Sequence, residues 1–243
     1  MVVLYPKTMK NRNTDVDFCR GIAIIMMVIY HWYCIFDIRY KTNYADKTHI
    51  DMLGHFSRIV FIFLMGFSVS LSYKKKHKDF MKRQSSRVGY LVLYAAIITI
   101  STRIILKERY VRFGILHYMS IAMLFIAYLG KYPSLVLFIG LILYMTYILI
   151  KHKQSGNIFK VIFGYRAKFN TIDMFPIGRW ILLSSIGYYV GSELVDHKKF
   201  NKNSIIPKNI LTNSITFIGK YSLEIYILHW FIIYYIQKIF IKS

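Results

Sequence analysis

Apolar residues along this chain fall into near-continuous blocks separated by short polar stretches rich in lysine and arginine. A soluble domain of 243 residues would bury one core and would not need so many uninterrupted runs. Blocks of about 17–25 apolar residues instead match a hydrocarbon layer roughly 30 Å thick. They lie at about 18–38, 53–73, 86–105, 114–130, 133–150, 175–194 and 217–239, which predicts an all-α, multi-pass transmembrane bundle of about seven spans. Residues 1–243 read as a single transmembrane domain, with no soluble module large enough to fold alone. The segment "SIIPKNILTN", Ser204 to Asn213, is too short and polar to cross and is placed at the interface. No small-residue cleavage site follows the first block, so a retained anchor is expected there and not a signal peptide.

Composition supports this picture, with 56% of residues hydrophobic. The formal charge of +22 would point to nucleic acid in a soluble protein, but here the basic residues sit mostly between the apolar blocks. Basic loops orient membrane proteins and touch anionic lipids, so no nucleic-acid partner is expected. "KKKHKDFMKRQSSR", Lys74 to Arg87, carries seven lysines and arginines, whereas the loop Asp37 to Asp51 balances three acidic against three basic residues. That contrast places the N-terminus on the cytoplasmic side. Cys19 and Cys34 are too few for a disulfide framework, and no Cys/His cluster has zinc spacing, so no metal is expected. A phosphate-binding glycine loop and a serine-hydrolase elbow are both missing from the sequence.

Ionisable residues inside apolar spans are costly and mark either a site or a buried pair. In "DFCRGIAIIMMVIYHWYCIFD", Asp17 to Asp37, Arg20 and His31 are eleven residues apart. Eleven residues of helix advance three turns plus roughly 20°, so the two share a face about 16 Å apart. Asp17, three residues before Arg20, is spaced to pair with it. That pair reads equally as part of a site or as an interfacial snorkelling pair. His31 reads either as catalytic or as a histidine bonded to a neighbouring helix. The second block brings His55 and Arg58, three apart on one face, and His49 just ahead of them. Gly66 and Ser70 offer small residues for close helix packing. His117 opens the fourth block, Arg179 enters the sixth and His229 lies in the last.

Five stretches resemble, in order, membrane-embedded acyltransferases: "DFCRGIAIIMMVIYHWY", "FIFLMGFSVSLSY", "FGILHYMSIAMLF", "DMFPIGRWILLSSIGYYVG" and "IGKYSLEIYILHW". The chain is similar to the acyltransferase 3 group and, more closely, to prokaryotic relatives of the heparan-alpha-glucosaminide N-acetyltransferase catalytic domain. The resemblance runs from about residue 15 to 235. It implies transfer of an acetyl or other acyl group from a coenzyme A thioester, taken at the cytoplasmic face, to a glycan or lipid-linked sugar. In the acyltransferase 3 group the signature histidine, here His31, is the proposed catalytic residue, with Arg20 its companion. In the glucosaminide branch the catalytic histidine lies in the loop leading into the second span, where His49 and His55 stand.

The chemistry suits these residue types. Acyl transfer needs a base for the acceptor's proton, and imidazole titrates near neutral pH. An acyl-histidine intermediate is the alternative route. Arg58 is a candidate for stabilising the oxyanion. The expected catalytic set is therefore His31, Arg20, Asp17, His49, His55 and Arg58. The acyl-CoA donor, acetyl-CoA foremost, is assigned to Lys82, Arg83, Arg87, His117 and His229, with the three basic residues meeting its phosphates. The rival reading is a small transporter or channel with a polar pathway. Its expected signs, an inverted repeat and paired broken helices, are not found in the sequence.

Overall fold

The structure, a computed structural model, describes residues 13–75, 79–194 and 205–240. It is all-α apart from one two-residue parallel strand pair, and it divides into two compact units, Met1–Val60 with Asp196–Ser243, and Phe61–Val195. Among the described residues, four helical stretches are long and apolar enough to cross a membrane: Thr14–Tyr40, Thr48–Lys74, Phe80–Arg109 and Pro133–Ile150.

The first unit is built on α1 (Thr14–Tyr40), the first half of α2 (Thr48–Lys75), α8 (Ile210–Lys220) and α9 (Ser222–Phe240). Helix α1 starts where the Asn13 side chain accepts a hydrogen bond from the Val16 N–H at 3.0 Å. Asp15 and Asp17 in its first turn suit the positive end of the helix dipole. It ends at Lys41 in the left-handed region, φ 54°. The Asp37 carboxylate then accepts from the Thr42 hydroxyl and the backbone N–H groups of Tyr44 and Ala45 at 2.5, 2.8 and 2.6 Å, pinning the turn into α2.

Helices α1 and α8 meet backbone to backbone. A Cβ on Gly21 would overlap the Ile215 carbonyl, and one on Gly219 would overlap that of Asp17. Close contact of this kind is how membrane helices gain packing energy where hydrophobic burial supplies little. The Ser57 hydroxyl on α2 donates to the Ala23 carbonyl of α1 at 2.7 Å, and Gln237 of α9 donates to the Trp32 carbonyl at 2.9 Å.

The second unit holds the remainder of α2, then α3 (Phe80–Leu106), α4 (Ile115–Leu129), α5 (Pro133–Ile150), the short α6 (Ile158–Phe163) between strands β1 (Gln154–Ser155) and β2 (Arg166–Ala167), and α7 (Ile177–Tyr189). Gly66 and Ser70 pack as expected: a Cβ on Gly66 would overlap the Ser184 carbonyl, and Ser70 occupies the space beside Gly191. Two buried tyrosines tie this unit together: the Tyr118 hydroxyl bonds Ser184 at 2.8 Å, and that of Tyr188 donates to the Gly130 carbonyl at 2.6 Å.

Three of the predicted spans take other forms. The block at 114–130 is a shorter apolar helix, Ile115–Leu129. The block at 175–194 is a 13-residue α-helix that widens into a π-helical turn over Val190–Leu194. The block at 217–239 is broken at Tyr221, where α8 ends and α9 begins. The predicted interfacial segment is in part helical. Asn209 caps α8 through a reciprocal pair with Thr212, its side chain accepting at 2.8 Å and its N–H donating at 3.0 Å.

Candidate active site

In the first unit, three helices bring a cluster of chemically capable side chains together. Helix α1 supplies Tyr30 and His31, α2 supplies Asp51, His55 and Arg58, and α9 supplies Tyr226 and His229. Gly54 is what allows α2 to come close, since any Cβ there would strike the Tyr30 ring.

The centre is a pair of imidazoles. His31 Nδ1 and His229 Nε2 are 2.8 Å apart across 198 residues of sequence, and the ring centroids are 4.9 Å apart with 26° between their planes, so the rings meet edge to edge. His229 is buried, and its Nδ1 lies 3.1 Å from the Ile225 carbonyl one turn back. Tyr30 and Tyr226 flank the His31 ring at 5.5 and 6.4 Å between centroids.

Arg58 approaches from α2. Its guanidinium lies 5.4 Å over the Tyr30 ring, and Nε donates to the Gly54 carbonyl at 2.9 Å. Nη2 is 3.8 Å from Asp51 Oδ1, and His55 Nε2 is 3.5 Å from the other Asp51 oxygen. His55 is thus half-buried beside a carboxylate, while His49 is exposed on the second residue of α2. At the other end of α1, Arg20 Nη1 donates to Asp17 Oδ1 at 3.0 Å, and the Asp17 side chain is buried. The expected pair therefore forms.

The remaining predicted residues lie in the second unit. Lys82, Arg83 and Arg87 are on the first two turns of α3, with Lys82 and Arg87 exposed, and no acidic residue stands in that first turn. His117 is held within the chain at both ring nitrogens. The Gly114 N–H donates to Nδ1 at 3.2 Å. Nε2 faces the Thr99 hydroxyl at 3.4 Å, and that hydroxyl donates onward to the Val111 carbonyl. This is the geometry of a helix cap on α4. Arg179 is exposed and lies over Trp180.

Sequence spacing overlooked the two tyrosines around His31 and the buried Gln237 that reaches the Trp32 carbonyl. The only available signal was their placement within otherwise apolar helices. Among the described residues, no group of three or more His, Cys, Asp or Glu is arranged to hold a metal ion.

Long apolar helices that carry histidine and arginine among them define a membrane protein with polar chemistry inside its helical part. The chain belongs to the family of heparan-alpha-glucosaminide N-acetyltransferase catalytic domains, whose family model it matches over residues 12–231, and is of the membrane acetyltransferase type. No curated protein and no solved structure matches it.

Proposed function

We propose that the protein is an acetyl-CoA-dependent membrane acyltransferase acting on a hydroxyl or amine of a glycan or lipid-linked sugar, with His31 as its general base. The observation that carries this reading is the His31–His229 pair, a polar centre inside the helices of a chain from an acetyltransferase family. An imidazole pair among apolar helices needs a reason, and proton transfer at near-neutral pH supplies one.

In this reading the acceptor's O–H or N–H gives its proton to His31 as the oxygen or nitrogen attacks the thioester carbonyl carbon. The carbon–sulfur bond then breaks, and the leaving thiolate takes the proton back from the imidazolium. The protein ends the cycle unchanged, with acylated acceptor and free coenzyme A as products. Arg58 is the group proposed to stabilise the oxyanion. Its engagement with Gly54 and Asp51 holds it on one side of Tyr30, and held cations need no reorganisation as charge develops.

Arg20 is proposed to attract the anionic donor at the N-terminal end of α1. Along one helix, the distance from Arg20 to His31 is about 16 Å, a reach that suits the long thin arm of a coenzyme A thioester. Lys82, Arg83 and Arg87 are assigned to the donor's phosphates on chemical grounds.

The test is direct. Membranes with and without the expressed protein are given radiolabelled acetyl-CoA, and labelled products are separated and identified. A labelled saccharide or glycolipid that depends on the protein, and disappears in His31→Gln, supports the reading. Equal labelling in both membranes overturns it.

A further inference from the structure

In the imidazole pair at the centre of the site, one contact decides where the protons are. A carbonyl oxygen can only accept a hydrogen bond. The Ile225 carbonyl lies 3.1 Å from His229 Nδ1, so that nitrogen carries the proton. A neutral imidazole has one N–H, which leaves His229 Nε2 with a bare lone pair. Its neighbour at 2.8 Å, His31 Nδ1, must then be the donor. The remaining nitrogen, His31 Nε2, is left as the free base.

We infer that His229 is the positioning residue that holds His31 in the tautomer whose bare Nε2 faces the reaction, through the line Ile225 C=O, His229, His31. This deepens the proposed acyl transfer and rests on it for its catalytic meaning. It replaces the donor-binding role that the sequence suggested for His229. The arrangement does the work usually given to a carboxylate behind a catalytic histidine. A neutral orienting group suits this place, since a carboxylate buried among apolar helices would need its own counter-charge. When Nε2 takes the acceptor's proton, His31 becomes an imidazolium whose Nδ1–H still points at His229 Nε2. The positive charge is then shared along the line, and the proton on Nε2 remains available for the thiolate.

A purely structural bridge between α1 and α9 would look similar but would work with either tautomer. Of the ionisable groups around the pair, Tyr30 and Tyr226 lie 5.5 and 6.4 Å from the His31 ring between centroids, and the Arg58 guanidinium lies over the Tyr30 ring.

The experiment uses the full chain in lipid nanodiscs, with histidine ring nitrogens labelled with nitrogen-15 and the His31 signals identified by their loss in His31→Gln. His31 should show a protonated Nδ1 and an unprotonated Nε2. His229→Gln retains an acceptor for His31 Nδ1–H and should keep most of the turnover. His229→Leu removes it, and the rate of acetyl transfer at saturation should fall by roughly 10²–10⁴-fold while KM for acetyl-CoA stays unchanged. A proton on Nε2 in the unaltered protein overturns the inference. So does a His229→Leu variant with normal turnover, or one in which only KM rises, which would return His229 to donor binding. If His229→Leu does not fold, the spectrum of the unaltered protein decides. If no acyl transfer occurs at all, the proposed function falls, and the ring-nitrogen signals still settle the tautomer.

Discussion

Gly219 on α8 sits against Asp17 on α1 so closely that a Cβ at Gly219 would overlap the Asp17 carbonyl oxygen. The contact lies one turn from Arg20 and so ties the packing of α8 to the geometry of the Asp17–Arg20 pair. Gly219→Ala should force the two helices apart at a cost of about 1–3 kcal/mol, the usual range for overfilling a packed site. Gly89 on α3 has nothing within 4 Å of its Cβ position. Gly89→Ala should therefore be neutral, or stabilising by up to about 1 kcal/mol through helix propensity alone. Thermal unfolding of both variants in detergent checks the contrast, and equal midpoints would mean that α1 and α8 do not meet as described.

The Asp17–Arg20 pair allows structure and function to be separated. Arg20→Gln leaves the buried Asp17 carboxylate without its 3.0 Å partner. The expected loss of stability is about 1–3 kcal/mol, since Arg20 remains partly open to solvent. Asp17→Asn combined with Arg20→Gln should recover part of that loss, because the carboxylate charge that Arg20 balanced is then removed as well. Donor affinity should fall in Arg20→Gln and stay low in the double variant if Arg20 attracts coenzyme A. Recovery of affinity together with stability would make the pair purely structural.

These two cases also show what was legible in the sequence. Asp17–Arg20 is a local relationship: three residues on a helix fix it, and the structure forms it. The packing role of Gly66 and Ser70 was readable for a similar reason, as small residues four apart within an apolar run. The meeting of His31 with His229 spans 198 residues and depends on how α1 and α9 are placed, which helical periodicity does not encode. The break at Tyr221 falls in the short polar stretch Gly219–Glu224, which has no proline and was absorbed into the longer apolar run around it. His117 shows the limit from the other direction. Its place at the start of an apolar block gave no sign that its ring nitrogens meet Gly114 and Thr99.

Lys82, Arg83 and Arg87 carry the prediction about the donor's phosphates. Lys82 and Arg87 are exposed and Arg83 is half-buried, so contacts from these side chains are worth about 0.5–1 kcal/mol each. Changing all three to glutamine should therefore weaken acetyl-CoA binding by about tenfold or more, and acceptor affinity should not change. Raising salt should narrow the gap between the variant and the unaltered protein, as screening weakens phosphate contacts. Unchanged donor affinity in a correctly inserted variant would leave these residues with the single task of orienting the chain in the membrane.

The last prediction concerns which histidine takes the proton. His31 and His55 are the two serious candidates, since His49 is exposed at the start of α2. His55 stands 3.5 Å from Asp51, and Arg58 is 3.8 Å from the same carboxylate. The Asp51 carboxylate therefore has both a histidine and an arginine to balance. His31 instead pairs with a second imidazole at 2.8 Å, which leaves its other nitrogen available. His31→Gln keeps a hydrogen-bonding side chain but cannot act as a base at neutral pH, and it should lower the rate of acyl transfer by roughly 10²–10⁴-fold without loss of donor binding. His55→Ala should lower it about tenfold at most, through the freed Asp51 drawing on Arg58 and weakening its hold on the oxyanion. His49→Ala should leave the rate unchanged. The measurement is acetyl transfer at saturating donor for each variant, with insertion verified by donor binding. Normal turnover in His31→Gln alongside a dead His55→Ala or His49→Ala would move the base to the start of α2 and leave the α1–α9 imidazole pair as a helix contact.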